Sequence, residues 1–141
     1  MKSIILTQTT KFLTPAFVIL SLFITYRGHN LPGGGFIGGL MLSTAFALLA
    51  VSDGVEKARH ALRVSPEFLI AAGLCIALIS GLPALLGDDA FMKSLWLPEF
   101  SLPLLGKIHL GTPIVFDIGV FMTVAGFTLK VFFSLCREEE N

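Results

Sequence analysis

The sequence predicts an all-α integral membrane protein with four transmembrane helices in a single membrane domain. Three observations support this prediction: 54% of the 141 residues are hydrophobic, 14% are charged, and the mean hydropathy is +0.82. A soluble domain carries about a quarter charged residues, and a membrane-spanning helix needs about 20 predominantly apolar residues. The chain is therefore long enough for four spans in one compact bundle, and its net charge of zero gives no reason to expect nucleic acid as a partner.

The first predicted span covers residues 9–26, with Pro15 near its beginning, where a missing N–H does least harm. A glycine-rich turn, RGHNLPGGGFIGGL, follows at residues 27–40 and leads into the second span at residues 34–52. Pro32 keeps the residue before it out of the α region, and the three glycines after it reach φ values that are closed to other residues. The chain is therefore expected to reverse direction in this turn.

Glycines recur at helical spacing in the second span, Gly34 with Gly38 and Gly35 with Gly39. This small-xxx-small pattern lets helix backbones approach each other closely in lipid. The same letters match the dinucleotide fingerprint GxGxxG, but that motif requires a preceding strand in a βαβ unit, which this sequence does not offer. One face of the second span is therefore expected to be bare of side chains, either as part of a functional site or simply as a tight helix hairpin.

The most charged stretch of the chain, residues 53–67, is expected to be a solvated loop with a helical turn or two. The third span follows at residues 66–86. Ser65 is the expected N-cap of this span and Pro66 its first helical residue, which is the place in a helix where proline is tolerated best. Pro83, near the other end, is expected to kink the span.

The longest connection, residues 87–111, is too rich in proline for one helix and too apolar to be free in water, so a short hairpin or a surface helix is expected there. The fourth span follows at residues 112–135. Four spans place both termini and the charged stretch on one side of the membrane, together with most of the basic residues: Lys2, Lys11, Lys57, Arg59, Arg63, Lys130 and Arg137. The positive-inside rule then predicts cytoplasmic termini. Cys75 and Cys136 lie at different membrane depths and are expected to be free thiols.

Asp117 lies inside the fourth predicted span, about 7 to 8 Å below its outer start. A carboxylate at the centre of a membrane helix costs about 2.5 to 3.5 kcal/mol, so a partner must offset this cost. In a transport protein that partner is a moving H⁺ or Na⁺ or a basic group of a relay, whereas the alternative is a fixed hydrogen bond to a neighbouring helix. Lys130 is too far along the same helix to pair with Asp117, and its expected role is to reach the cytoplasmic interface.

His29 lies in the glycine-rich turn, where it is expected either to shuttle protons or to bond a backbone carbonyl. The remaining histidines, His60 and His109, show no spacing typical of a metal site. No grouping of nucleophile, base and orienting residue is present in the sequence either. The sequence therefore predicts a protein that is not an enzyme and that has no cofactor or metal.

Four motifs occur in a fixed order along the chain: GHN from Gly28, PGGGFIGGL from Pro32, LPLLGK ending at Lys107, and FDIGV around Asp117. In order and spacing they resemble the B subunit (MnhB or MrpB) of the Mrp (Mnh) type of Na⁺/H⁺ antiporter, and the resemblance covers essentially the whole chain except residues 88–101. It implies a four-span subunit of a prokaryotic plasma-membrane complex with partner subunits A, C, D, E, F and G. Such a complex exports Na⁺ against proton entry and carries no cofactor besides the transported ions.

The family pattern also marks candidate site residues. It marks Asp117, His29 and Lys107, for which the hypothesis is an ion path. It also marks a second set, for which the expected role is in the turn and in helix packing: Gly28, Asn30, Pro32, Gly33, Gly34, Gly35, Gly38 and Gly39. Two alternatives remain open. In the first alternative, the chain is a purely structural subunit of that complex and conducts no ion. In the second, it is a small proton-coupled exporter that acts as a homodimer, although exporters of that kind place their carboxylate in the first span.

Overall fold

In the part of the chain that the computed structural model describes, the regular secondary structure is helical apart from one small hairpin. The structure describes residues 4–28, 34–86, 90, 93–95, 100–102, 106–108 and 111–138. The elements are α1 Ile4–Arg27, α2 Gly34–Asp53, α3 Val55–Leu62, α4 Pro66–Ile79, α5 Leu82–Leu86, β1 Phe100–Leu102, β2 Gly106–Ile108 and α6 Thr112–Glu138. Four helical segments are long and apolar enough to cross a membrane, Ile4–Arg27, Gly34–Asp53, Val55–Ala84 and Thr112–Arg137. The prediction of four transmembrane helices is thus confirmed.

The helix α1 begins at Ile4, earlier than the sequence suggested, because its polar first turns are compatible with helix. The hydroxyls of Thr9 and Thr10 donate to the carbonyls of Ile5 and Leu6, each at 2.8 Å. Hydroxyl side chains that bond the preceding turn do not need water as a partner. The placement of Pro15 near the helix beginning was therefore wrong, since Pro15 lies in the interior of α1.

The polar stretch between α2 and α4 contains the two-turn helix α3, as the sequence predicted. The chain bends into α3 at Gly54, whose φ of 103° and ψ of 152° lie in a region that is essentially restricted to glycine. One side of α3 is buried rather than solvated, since Ala58 is fully buried. Ser65 is the N-cap of α4, as predicted, and its Oγ accepts a hydrogen bond from the backbone N–H of Phe68 at 3.2 Å.

The third span is interrupted at Ser80, three residues before Pro83, where the sequence predicted a kink. Helix α4 ends at Ile79, Ser80 and Gly81 form a turn, and the short α5 then contains Pro83. Proline lacks the N–H that would bond the carbonyl four residues earlier, which here belongs to Ile79. The expected kink at Pro83 is thus replaced by a break where its missing hydrogen bond would have been.

The connection before α6 contains an antiparallel hairpin, which confirms the hairpin alternative. Strand β1 pairs with β2 in a register that sets Phe100 opposite Ile108 and Ser101 opposite Lys107. At the base of this connection the backbone N–H of Leu95 donates to Oγ1 of Thr112 at 3.1 Å. This contact ties the connection to the first residue of α6.

The four long helices form an open row in the order α1, α2, α6, α4. Helix α2 packs against α1 on one side and α6 on the other, α6 packs against α4, and α1 makes a minor contact with α6. In the described part of the chain α1 and α4 are not packed against each other, so the expected compact bundle does not close. Where α2, α3 and α6 meet, an apolar cluster of Ala50, Ala58, Leu129 and Phe133 is buried.

Candidate functional site

The candidate site is centred on Asp117, a half-buried residue in the second turn of α6. It lies five positions after Thr112, the first residue of the helix, and therefore about 7.5 Å along the axis. The end of α1 and the beginning of α2 lie at the same end of the row. Asp117 thus lies at the level of the end of α1 and the beginning of α2.

The backbone of α2 lies directly against Asp117 because α2 begins with glycines. A Cβ built on Gly34 would stand 3.1 Å from Oδ2 of Asp117, and one built on Gly35 would overlap the backbone oxygen of Asp117. One turn later, a Cβ on Gly39 would stand 2.8 Å from the backbone oxygen of Phe121. Glycine is therefore required at Gly35 and Gly39 for α6 to lie at this distance from α2.

The neighbouring face of α2 is equally bare, and it contacts α1. Gly28, at the end of α1, lies so close to Gly34 that a Cβ on either residue would meet the backbone of the other. A Cβ on Gly38 would overlap the side-chain oxygen of Thr25 and stand 2.9 Å from the backbone oxygen of Ser21. The sequence predicted one face of α2 without side chains. The structure shows two adjacent faces of this kind, one in contact with α1 and the other with α6.

A groove of about 380 Å³ lies between α1 and α6 beside these glycines, and we call it the Asp117 groove. Helix α1 lines it with Leu22, Thr25 and Tyr26, while α6 contributes Asp117 and apolar neighbours such as Phe121. Most of the surface is apolar, so the carboxylate lies in a poorly solvated setting. The Thr25 hydroxyl donates to the carbonyl of Ser21 at 2.8 Å, which leaves its oxygen able to accept.

This arrangement can bind a small cation or a proton. A carboxylate held in an apolar groove gains more from a nearby positive charge than it would in water, because the local dielectric is low. Hydroxyl and carboxylate oxygens are the ligands that hard cations accept. In the described residues no group of three or more His, Cys, Asp or Glu residues forms a metal site. The described lining of the Asp117 groove supplies one carboxylate together with the hydroxyl oxygens of Thr25 and Tyr26.

The structure brings together Asp117, Gly34 and Gly35, all three of which the sequence singled out, and it packs Gly28 against Gly34. Gly38 and Gly39 continue the same two contacts, toward α1 and α6 respectively. The remaining members of the predicted site lie outside the described residues: His29, Asn30, Pro32, Gly33 and the side chain of Lys107. Thr25 and Tyr26 were missed by sequence reasoning. The sequence feature that could have identified them is their position along the helix. Both residues lie in the last turn of the first span, at the same level as Asp117 in the fourth.

Two further expectations can be placed at the other end of the row. Nζ of Lys130 lies 3.6 Å from Oε1 of Glu67, and both side chains are about half exposed, so Lys130 pairs across to the first turn of α4. Cys75 and Cys136 are free thiols, as predicted.

Comparison of this chain with known proteins shows the family that it matches. Residues 5–130 match the family model described as "Domain related to MnhB subunit of Na+/H+ antiporter". The B subunit of the Na(+)/H(+) antiporter of Bacillus subtilis (strain 168) is 33% identical over 136 residues, covering 96% of this chain and 94% of the relative. The corresponding B subunit of Alkalihalophilus pseudofirmus is 30% identical over 136 residues, which again cover 96% of this chain and 94% of the relative. The putative antiporter subunit mnhB2 of Staphylococcus aureus (strain Newman) is 31% identical over 132 residues, or 94% of this chain and 93% of the relative.

A solved structure shows the same fold. The Mrp complex from Dietzia sp. DQ12-45-1b contains a chain that superposes with a TM-score of 0.77 at 33% identity. The match covers 94% of this chain but 14% of that chain, which is several times longer.

Proposed function

Since this chain belongs to the MnhB family of Na⁺/H⁺ antiporter subunits, we propose that it is the B subunit of a multi-subunit complex that exchanges Na⁺ for H⁺. Its partners are the other Mrp-type subunits, A, C, D, E, F and G, in the plasma membrane of a prokaryote. Four spans with Asp117 as the acid inside them are too little for a complete gated ion path, which normally needs two related halves around a central site. The subunit therefore works as part of a larger assembly.

Within that assembly, Asp117 takes part in the passage of Na⁺ or H⁺. The observation that supports this role is the Asp117 groove, in which a carboxylate faces an apolar surface with Thr25 and Tyr26 beside it. Ionisable residues at membrane depth are costly and are commonly found on ion pathways. The ions are the only cofactor-like species that this role requires.

The glycines of α2 support the same role by setting the position of Asp117. Because Gly34 and Gly35 have no side chains, the carboxylate lies next to a backbone whose position is fixed by two neighbouring helices. A carboxylate with fixed surroundings loses less orientational freedom when it binds an ion. Asp117 and these two glycines therefore act together.

The test is antiport with Asp117→Asn, measured as the collapse of a pH gradient on Na⁺ addition to inverted membrane vesicles. Asparagine keeps the size of the side chain but neither ionises nor releases a proton, so we expect antiport to fall at least about tenfold, which is the effect of about 1.4 kcal/mol. Assembly of the complex is checked on native gels and should be preserved.

The matched control is Asp53→Asn, the same chemical change at the far end of α2, where Asp53 pairs with Lys57 away from the groove. This variant should retain antiport close to that of the wild type. Full antiport in a correctly assembled Asp117→Asn complex would rule out the ion-path role.

A second candidate function is that of a purely structural subunit, and the backbone contacts of α2 favour it. Gly35 and Gly39 allow α2 to lie directly against α6, which is a packing role that needs no ion. In that case, Gly35→Leu or Gly39→Leu abolishes assembly whereas Asp117→Asn leaves antiport intact. Variants at the glycines and at Asp117 thus separate the two functions.

The proposed orientation places both termini in the cytoplasm. Helix α3, with Lys57, Arg59 and nearby Arg63, lies at the end of the row where α1 begins and α6 ends. An excess of basic residues on one side is the usual mark of the cytoplasmic face. The Asp117 groove then opens near the outer face.

A further inference from the structure

A second cavity lies at the opposite end of the molecule from the Asp117 groove. It has a volume of about 360 Å³, within the range of small-ligand sites, and we call it the interface cavity. Its lining includes three basic side chains, two carboxylates and an apolar residue: Arg59, His60, Arg63, Glu56, Glu67 and Val64. The transport function proposed above makes no use of this cavity.

The interface cavity is lined by α3 and the residues that lead into α4, at one end of the membrane-spanning helices. Helix α3 connects the end of the membrane-spanning α2 with the beginning of α4, and it is strongly amphipathic. Its apolar side, with Ala58 at the centre, packs against Leu129 and Phe133 of α6. An amphipathic helix held in this way lies in the plane of the lipid headgroups and turns its charged side toward them.

Arg59 carries an unsatisfied donor at the wall of the cavity. Its guanidinium lies 5.6 Å from the ring centroid of Phe133, and among the described residues its buried Nε has no hydrogen-bond partner. A buried donor without a partner destabilises the structure. The planar guanidinium, held by the ring beneath it, matches the oxygens of a phosphate group.

The charges around the cavity leave it positive. Of the two carboxylates, Glu67 is paired with Lys130 at 3.6 Å. With Lys130 counted, three cations stand against the two carboxylates, and Glu67 is attracted by Arg59 as well as by Lys130. Arg63 is exposed, and its left-handed backbone conformation, with φ of 61°, ends α3. An anion therefore fits this site better than a cation does.

Apolar side chains beside the cavity distinguish a lipid from a free anion. Val64, in the wall, is 39% exposed, and Phe68, in the first turn of α4, is 59% exposed. Free phosphate has no use for such neighbours, whereas the acyl chains of a lipid would run along them. We infer that the interface cavity binds the phosphate of an anionic phospholipid headgroup through Arg59 and Arg63.

The experiment uses the assembled complex in detergent with photoactivatable phosphatidylglycerol as the probe. Mass spectrometry locates the label, which we expect in the segment from α3 to the first turn of α4. A basic residue near an anionic lipid surface contributes about fivefold in binding, so Arg59→Gln and Arg63→Gln should each lower the labelling about fivefold. Arg63→Gln decides the outcome if Arg59→Gln disturbs the packing on Phe133, because Arg63 is exposed.

The matched control is Lys57→Gln, which removes the same charge from the same helix but lies outside the interface cavity. Because the charge of Lys57 is paired with Asp53 and lies outside the cavity, labelling should stay close to that of the wild type. Unlabelled phosphatidylglycerol should compete with the probe, whereas millimolar inorganic phosphate should not. Labelling that is absent from this segment or unchanged in Arg63→Gln, or equal competition by inorganic phosphate, would overturn the inference. None of these outcomes depends on Asp117, so the inference and the proposed function fail independently.

Discussion

At the level of single residues, Gly35 and Asp117 are the clearest example of two positions that depend on each other. They belong to helices that are far apart in the sequence, yet a Cβ on Gly35 would occupy the place of the backbone oxygen of Asp117. Backbone atoms cannot turn aside as a flexible side chain can. The separation of α2 and α6 near Asp117 is therefore set by the absence of a single methyl group.

We expect Gly35→Ala to destabilise the complex, since the added methyl group forces α2 and α6 apart. Overpacking of this kind costs about 1–3 kcal/mol, which over most of that range exceeds the gain from the better helix propensity of alanine, about 1 kcal/mol. The measurement is the melting temperature of the complex, followed by size-exclusion fluorescence of a tagged copy of this chain.

Ala71→Val serves as the control, because Ala71 lies on an exposed side of α4. It adds more bulk than Gly35→Ala but meets no neighbouring helix of this chain. A Gly35→Ala complex that melts at or above the wild-type temperature would contradict the close contact between α2 and α6.

Sequence reasoning singled out Asp117 and Gly35 but not the contact between them. The cost of a carboxylate in lipid singled out Asp117, and helical spacing singled out Gly35. Spacing of small residues says that some backbone comes close, but it does not say which one. Thr25 and Tyr26 were missed for the same reason, since only the minor contact between α1 and α6 places them beside Asp117.

At the level of elements, the beginning of α4 is fixed by a short local signal. The N-cap Ser65 bonds the backbone N–H of Phe68, and Pro66 takes the first helical position. Both features were predictable because they depend only on neighbouring residues. The beginning of α1 at Ile4 was harder to predict, because an apolar span and the helix containing it need not start at the same residue.

We expect Ser65→Ala to destabilise α4, because it leaves the N–H of Phe68 without its side-chain partner. Loss of an N-cap costs about 0.5–2 kcal/mol. The melting temperature of the complex should fall accordingly.

Ser65→Asp supplies the matched comparison, since aspartate caps helices as well as serine does. It should restore the melting temperature close to that of the wild type. If Ser65→Ala and Ser65→Asp lower the melting temperature equally, the hydrogen bond to Phe68 does not stabilise the helix.

At the level of the whole molecule, the order of the helices in the row is the feature that the sequence did not provide. Hydropathy identified the spans, but four spans of this length can close into a bundle or lie side by side. Two side-chain contacts between helices support the row: Thr14 donates to the carbonyl of Ala45 at 3.5 Å, and Ser43 donates to that of Ala125 at 3.4 Å.

The row predicts which cysteine pairs can be joined. Thr14→Cys with Ala45→Cys should form a disulfide under mild oxidation, with the natural Cys75 and Cys136 replaced by serine. Thr14→Cys in a chain that keeps Cys75 should not, because α1 and α4 are the two outer helices of the row. Shifts on gels report the result.

This pair of experiments is well matched, because Thr14 and Cys75 lie at similar distances from the first residues of their helices. Rapid joining of Thr14→Cys to Cys75 within one chain would mean that α1 and α4 are neighbours and that the helices form a closed bundle.

The glycine contacts of α2 also have a mechanical consequence. Side chains between two helices can change rotamer and absorb small displacements, whereas backbones in direct contact have no such freedom. Near Asp117, α2 meets α1 through Gly28 and Gly34 and meets α6 through Gly35. A displacement of any one of these three helices is therefore transmitted directly to the other two. We expect this end of the molecule to move as a rigid body.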